Sequence, residues 1–391
     1  EWGALMFATI PATFALGNIG LLDMVFTTFL FGGVGVLLVS ARHRRFRLQY
    51  LGFVLLAFAV LTKGPVALLL VGLFVLLVSL CLREARRELL GLNWKTGMAA
   101  VLVISGPWFA GMYSRFGSAF VAQYLLAGNL WYFTQPSHFS TRTVSHTFYV
   151  RTFIGAFFPW SVVTIGRGID LLQHWRERRE VTTGEALLWA WTIVVVGFFT
   201  LARFKLDHYI FPAAPACCLL AAHAWIGAMD DARSTATRIS ILATGLSFIA
   251  IGVIAAIALT RIDLGLPLGA ALLPITLVGG GAVIVFQTAR RRLLPLRSLA
   301  VPVCALLVLY ATTVLVGFPA FERTRPIRFI TRVLRTRATA AQPIGLYRLE
   351  RWRASLRYYL GRRIERLENP DDIRRFLLST GPAYIVMLRE E

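Results

Sequence analysis

Four ionisable groups crowd into the seven residues Arg203-Phe204-Lys205-Leu206-Asp207-His208-Tyr209, at the end of a long apolar run. Two cations beside a lipid boundary suit a phosphate headgroup: arginine supplies a planar fork, lysine a mobile point charge. An exposed turn paired internally through Asp207 is the alternative reading. Lys63 stands in Leu61-Thr62-Lys63-Gly64-Pro65-Val66, a tight connection between two apolar runs. Gly64 relaxes the backbone, and Pro65 suits the first turn of the next helix. A lysine there either snorkels to the membrane surface or binds an anion. Asp23 follows the break Gly17-Asn18-Ile19-Gly20-Leu21-Leu22. It either caps the next helix or lines a site, and both roles can coexist. Placing such a group at the centre of a membrane helix costs about 2.5–3.5 kcal/mol on insertion scales, so each is a functional candidate by default.

A further candidate region is the stretch of about 35 residues from Tyr113 to Thr147. Its segment Ala122 to Phe133 is aromatic and leucine-rich and carries no charge, which suits a helix lying in the membrane interface. Asn129, His138, Arg142 and His146 follow within or after it. His138 and His146 are candidate metal ligands, although hydrogen-bonded loop histidines are the commoner case. Arg151 lies four residues into the next run and must meet an anion or snorkel outward.

The elements that position these residues are membrane spans. The chain has 391 residues, 57% hydrophobic and 16% charged, with mean hydropathy +0.65. That composition argues against both a soluble domain and a disordered chain. Eleven apolar runs approach the roughly 20 residues a bilayer needs: 3–20, 22–41, 47–62, 65–82, 97–112, 148–165, 184–201, 209–228, 238–260, 267–287 and 298–317. The connections alternate in charge. One set carries 18 Lys and Arg, including Arg42 to Arg47, Arg83 to Lys95, Arg167 to Arg179 and Arg290 to Arg297; the opposite set carries seven. The positive-inside rule assigns the first set to the cytoplasm. Asp23, Lys63, the 113–147 stretch and Arg203–Tyr209 then face outside. A net charge of +21 distributed this way suits anionic lipid rather than nucleic acid.

The expected architecture is therefore an all-α polytopic membrane protein with about eleven transmembrane helices over 1–317 and a small extracytoplasmic α/β domain over 318–391. In the second part, Arg328–Ala340 predicts a helix and Ile344–Leu349 a strand. Asn369-Pro370 supplies a cap and first-turn proline for a helix to Ser379, and Ala383–Leu388 predicts a final strand. Cys81, Cys217, Cys218 and Cys304 lie in or beside apolar runs without metal or disulfide spacing, and read as buried spectator thiols.

Leu61-Thr62-Lys63-Gly64-Pro65-Val66 resembles an LTKGP signature, and Lys205-Leu206-Asp207-His208-Tyr209-Ile210-Phe211-Pro212 a KLPHYILP segment. Leu22-Asp23-Met24 resembles a TDM segment, and Asn129 to Phe133 with Phe157-Phe158-Pro159-Trp160 an outer loop followed by an FLPW-type span. In this order the motifs resemble the dolichyl-phosphate-mannose–protein mannosyltransferase-like family, which includes the aminoarabinose transferases of lipid A and has the GT-C fold. The departures are Asp207 where proline is usual, Trp131 and Tyr132 where arginine often follows the asparagine, and His146-Thr147-Phe148-Tyr149 in place of an HxxPFWYY-like stretch.

The resemblance implies a multi-pass glycosyltransferase of a bacterial inner membrane, working on its outer face. The donor would be a sugar on a polyprenyl phosphate, the acceptor a protein, lipid or glycan, and transfer inverting with phosphate leaving. Lys63, Arg203 and Lys205 would contact the lipid phosphate, and Asp23 would serve as a catalytic carboxylate of secondary rank. Asn129, His138, Arg142, His208 and Tyr209 are weaker substrate-binding candidates. Members commonly have about 13 spans, so two spans and the principal carboxylate are expected to precede Glu1. No resident cofactor is implied; the sugar, the acceptor and any divalent metal stay open. The rivals are a lipid-linked sugar flippase, against which the one-sided charges and lack of a visible repeat argue, and a membrane anchor for the α/β part, which leaves the charged clusters without purpose.

Overall fold

The computed structural model describes residues 1–131, 145, 147–173, 181–230, 234–261, 268–290, 295–324, 326–340, 342–380 and 382–388. They divide into two compact units, 1–258 with 272–310, and 259–271 with 311–391.

The helices of the first unit follow the apolar runs. They are α1 (Trp2–Thr9), α2 (Pro11–Ile19), α3 (Asp23–Arg42), α4 (Leu48–Lys63), α5 (Val66–Cys81), α6 (Arg83–Leu90) and α7 (Trp94–Phe116). After α7, the short α8 (Ser118–Phe120) passes into a π-helix, Val121–Trp131. Next come α9 (Phe148–Ala156), α10 (Trp160–Gln173) and α11 (Thr183–Leu201), then a 3-10 turn, Asp207–Ala213, leading into α12 (Ala214–Asp230). The series closes with α13 (Thr235–Arg261), α14 (Leu272–Ala289) and α15 (Pro295–Thr312).

Among the described residues, seven helices are long and apolar enough to cross a membrane, or nine if the bent pairs α1–α2 and α9–α10 each count as one span. α4 and α5, at 16 residues each, fall short of that length. The outward faces are apolar: Val103 and Leu201 are each about three-quarters exposed, which is the pattern of a surface solvated by lipid. Inside, small residues let backbones approach. A Cβ on Gly33 would lie 3.1 Å from the Gly52 carbonyl, and one on Gly52 would lie 2.8 Å from Leu37, so α3 and α4 pack with little between them. Cys217 and Cys218 are buried, but Cys81 and Cys304 are exposed, against the buried reading of all four.

Two buried polar links tie helices together at the arginine-rich end. Arg167 makes a bidentate pair with Glu185, at 2.7 and 2.9 Å, joining α10 to α11. Asp170 accepts from the Ala236 and Thr237 amides at 2.8 and 2.9 Å and from the Thr237 hydroxyl at 2.6 Å, capping the first turn of α13. Arg167 is thus a buried helix residue and not one of a set of loop cations.

The second unit holds α16 (Phe318–Thr324), α17 (Pro326–Arg337), α18 (Glu350–Leu360) and α19 (Pro370–Thr380) with strands β1 (Ile344–Tyr347), β2 (Glu365–Leu367) and β3 (Tyr384–Val386). The strands form a parallel sheet of order β2-β1-β3, Gly345 pairing with Glu365 on one side and Ile385 on the other. The central strand is buried along its whole length, as a parallel strand covered by helices should be. The expected cap forms: Asn369 Oδ1 accepts from the Asp372 amide at 2.9 Å. The Glu368 and Asn369 amides hold the Asp372 carboxyl below the ordinary carboxylate range. α18 and β2 were not anticipated from the sequence.

Candidate functional site

The site forms where α3 begins, α4 ends and the 202–209 connection turns back into the bundle. Gly64 ends α4 at φ +81°, in backbone space that favours glycine, and its amide closes on the Val60 carbonyl at 2.7 Å. This sharp stop leaves Lys63 at the helix terminus. Its Nζ lies 2.5 Å from Asp23 Oδ1. Asp23 does not cap α3: no side-chain cap bond forms there, and its buried carboxylate turns to Lys63 instead. The cation also lies 5.5 Å from the Phe26 ring centroid and 5.6 Å from that of Tyr209, within cation–π range. His208 Nε2 stands 3.9 Å from Asp23 Oδ2.

The segment from Ala202 through the 3-10 turn is held by three side-chain hydrogen bonds. Tyr149, buried on α9, donates to the Leu206 carbonyl at 3.1 Å. Trp191 on α11 donates to the Pro212 carbonyl at 2.8 Å. Lys205 folds inward, and its ammonium donates to the Ala202 carbonyl. Burial holds that ammonium below the ordinary lysine range. Arg203 and Asp207 are exposed, and among the described residues no ion pair joins Asp207 to either cation. An internally neutralised turn is therefore not what forms.

The structure brings Asp23, Lys63, His208 and Tyr209 into contact, on the connection that carries Arg203 and Lys205. Among the described residues, His208 and Tyr209 are the members of this connection that reach the Lys63–Asp23 pair. His138, Arg142 and His146 lie outside the described residues, as does the side chain of Asn129. Among the described residues no three His, Cys, Asp or Glu side chains gather to hold a metal. Tyr149, Phe26 and Trp191 were not anticipated. Their signal was weak, because a tyrosine or tryptophan in an apolar run reads as core until its partner is known.

The chain is 31% identical over 236 residues to the undecaprenyl phosphate-alpha-4-amino-4-deoxy-L-arabinose arabinosyl transferase of Pseudomonas aeruginosa (strain UCBPP-PA14), covering 57% of this chain and 39% of that protein. It is 29% identical over 290 residues to the second such transferase of Pseudomonas fluorescens (strain Pf-5), covering 69% of this chain and 45% of the relative. The fold matches the crystal structure of ArnT from Cupriavidus metallidurans bound to undecaprenyl phosphate. That match has a TM-score of 0.68 at 21% identity, over 98% of this chain and 70% of the other. The chain is similar in sequence to aminoarabinose transferases and shares the GT-C fold of ArnT. No family model matches it. This ArnT-like chain spans less than half the length of the curated relatives it matches.

Proposed function

We propose that the protein transfers a sugar, an aminoarabinose-type pentose, from a polyprenyl-phosphate donor to a lipid acceptor on the outer face of a bacterial inner membrane. The observation that carries the reading is the Lys63–Asp23 pair seated against Tyr209, four residues from Lys205. It supports reading the cations of two separate connections as serving one donor site. The ArnT structure bound to undecaprenyl phosphate and the names of the relatives support the donor class.

In the transfer, an anionic (deprotonated) acceptor oxygen attacks the anomeric carbon, and its negative charge passes to the leaving group. The bond from that carbon to the phosphate oxygen breaks, and its electron pair leaves with the lipid phosphate. The phosphate gains one negative charge in that step. Arg203 and Lys205 are the groups that stabilise it, because preorganised donors count for most where charge develops away from water. Lys63 keeps two further N–H donors beyond its bond to Asp23, and these are available to the donor phosphate. Asp23 fixes the position of Lys63, and His208 completes the contact on the other carboxylate oxygen. Burial weakens the hydration of Lys205, so an incoming phosphate replaces the single carbonyl it now meets.

The test is transfer in proteoliposomes from a labelled undecaprenyl-phosphate sugar. Lys63→Ala and Lys205→Ala are each expected to lose most of the transfer. Wild-type transfer by both would overturn the phosphate assignment, and movement of the donor across the bilayer without transfer would favour a carrier.

A further inference from the structure

Three helix ends meet at the arginine-rich end of the bundle. α3 closes at Arg42, α4 opens at Leu48 and α7 opens at Trp94. Because α3 has 20 residues, this end lies about 30 Å from the Asp23 mouth. α7 seats directly on α4: Trp94 stands edge-on to Phe53 with centroids 5.5 Å apart, and a Cβ on Gly97 would lie 2.1 Å from the Phe53 ring. Between the 43–47 turn and the 91–93 turn is a cavity of about 500 Å³, lined among others by Phe46, Arg47, Tyr50, Leu92 and Asn93.

The walls are held in place. Buried Gln49 accepts from the Asn93 amide at 2.8 Å, locking one turn to the other. The Ser40 hydroxyl donates to the Arg45 carbonyl at 2.9 Å, and Arg44 adopts a left-handed φ of +50° that non-glycine residues rarely take. The charge is one-sided. Residues 42–50 and 83–95 contain eight Lys and Arg against the two acids Glu84 and Glu88. Among the described residues, the ion pair here is Arg42 with Glu88, at 2.6 Å. Arg44, Arg45 and Arg47 are exposed, and so are the aromatic rings of Phe46 and Tyr50. Amphipathic α6 buries Ala85 and Leu89 and exposes Arg83, Arg86 and Arg87. Arginines interleaved with aromatics where helices leave the apolar layer match the headgroup level of a bilayer.

We propose that this cavity binds the phosphodiester headgroup of an anionic phospholipid, with Arg47 on the phosphate, the exposed Arg44 and Arg45 of the same turn adding positive potential, and Phe46 and Tyr50 against the glycerol and upper acyl chain. The site is separate from the donor mouth and does not depend on the transferase reading. The full chain, purified in detergent, is titrated with phosphatidylglycerol and with phosphatidylcholine, and retained lipid is read by native mass spectrometry. Wild type is expected to retain phosphatidylglycerol preferentially. Arg47→Gln is expected to weaken that retention about fivefold, and the Arg44/Arg45/Arg47→Gln triple variant further. Arg47→Lys and Arg115→Gln, at the other end of α7, should retain it as wild type does. Circular dichroism and melting curves check that each variant folds; should the triple variant not fold, Arg47→Gln alone decides. Equal retention of both lipids by wild type, or undiminished phosphatidylglycerol retention by folded Arg47→Gln, overturns the proposal. Displacement of the lipid by millimolar glycerol 3-phosphate also overturns it, because the site would then take a free phosphate.

Discussion

Removing the ammonium of Lys63 should cost far more than removing the carboxylate of Asp23, and removing both should cost little. The Asp23 side chain is 4% exposed and the Lys63 side chain 23%. Lys63→Met leaves a buried carboxylate without its 2.5 Å partner, and breaking a buried pair from one side costs about 3–5 kcal/mol. Asp23→Asn leaves an ammonium that can straighten toward water along its flexible stem, and about 1 kcal/mol is expected. In Asp23→Asn/Lys63→Met the unpaired charge disappears, so stability should return to within about 1–2 kcal/mol of wild type, because apolar replacement of buried pairs is often neutral. The assay is reversible unfolding in mixed detergent micelles, run as a double-mutant cycle. Additive single losses would show that the two side chains do not interact, and would remove the basis for placing Lys63 at this mouth.

Further outcomes follow from the same geometry. Burial holds Lys205 below the ordinary lysine range, and a bound phosphate favours its charged form, so affinity for undecaprenyl phosphate should be full below the free-state pKa and fall as pH rises through it. Lys205→Arg should bind with a flat profile over that window, read by titration calorimetry. Gly64→Ala forces a side chain into φ +81°, costing about 1–3 kcal/mol of strain and shifting Lys63, which should appear as reduced transfer together with a lower melting temperature. Asn369→Ala removes the cap on α19 and should cost about 1 kcal/mol, visible as faster hydrogen exchange in the 370–380 amides.

Much of the fold was legible because lipid solvation imposes a long apolar signal that needs no tertiary knowledge. Each apolar run became a helix or a bent pair, and Asn369-Pro370 marked its helix start correctly because capping is local. α18 was hidden: its segment, Glu350–Leu360, is rich in arginine and reads as solvated. β2 is a three-residue strand, too short for any alternation to show. At the site, the ingredients were legible and their pairing was not. Asp23 and Lys63 are 40 residues apart, and nothing in either motif says that one answers the other. In sequence, Asp23 therefore reads as a cap or a site carboxylate, and Lys63 as a snorkelling or anion-binding cation, without a link between the two. Arg167 was misassigned for the same reason: in an alternating charge count it joins a basic connection, while its partner Glu185 sits 18 residues away at the start of the next span. An acid inside an apolar run demands a partner, and that rule applied to Glu185 would have pointed to its buried link with Arg167.

The central claim is that cations from two separate connections grip a polyprenyl phosphate. The most direct test is the equilibrium affinity of the full chain for undecaprenyl phosphate, measured for wild type, Lys63→Met and Arg203→Ala/Lys205→Ala. A hydrogen bond to a charged group contributes about 1.5–3 kcal/mol, so each change should weaken binding tenfold or more. Wild-type affinity in the Arg203→Ala/Lys205→Ala variant would contradict the account.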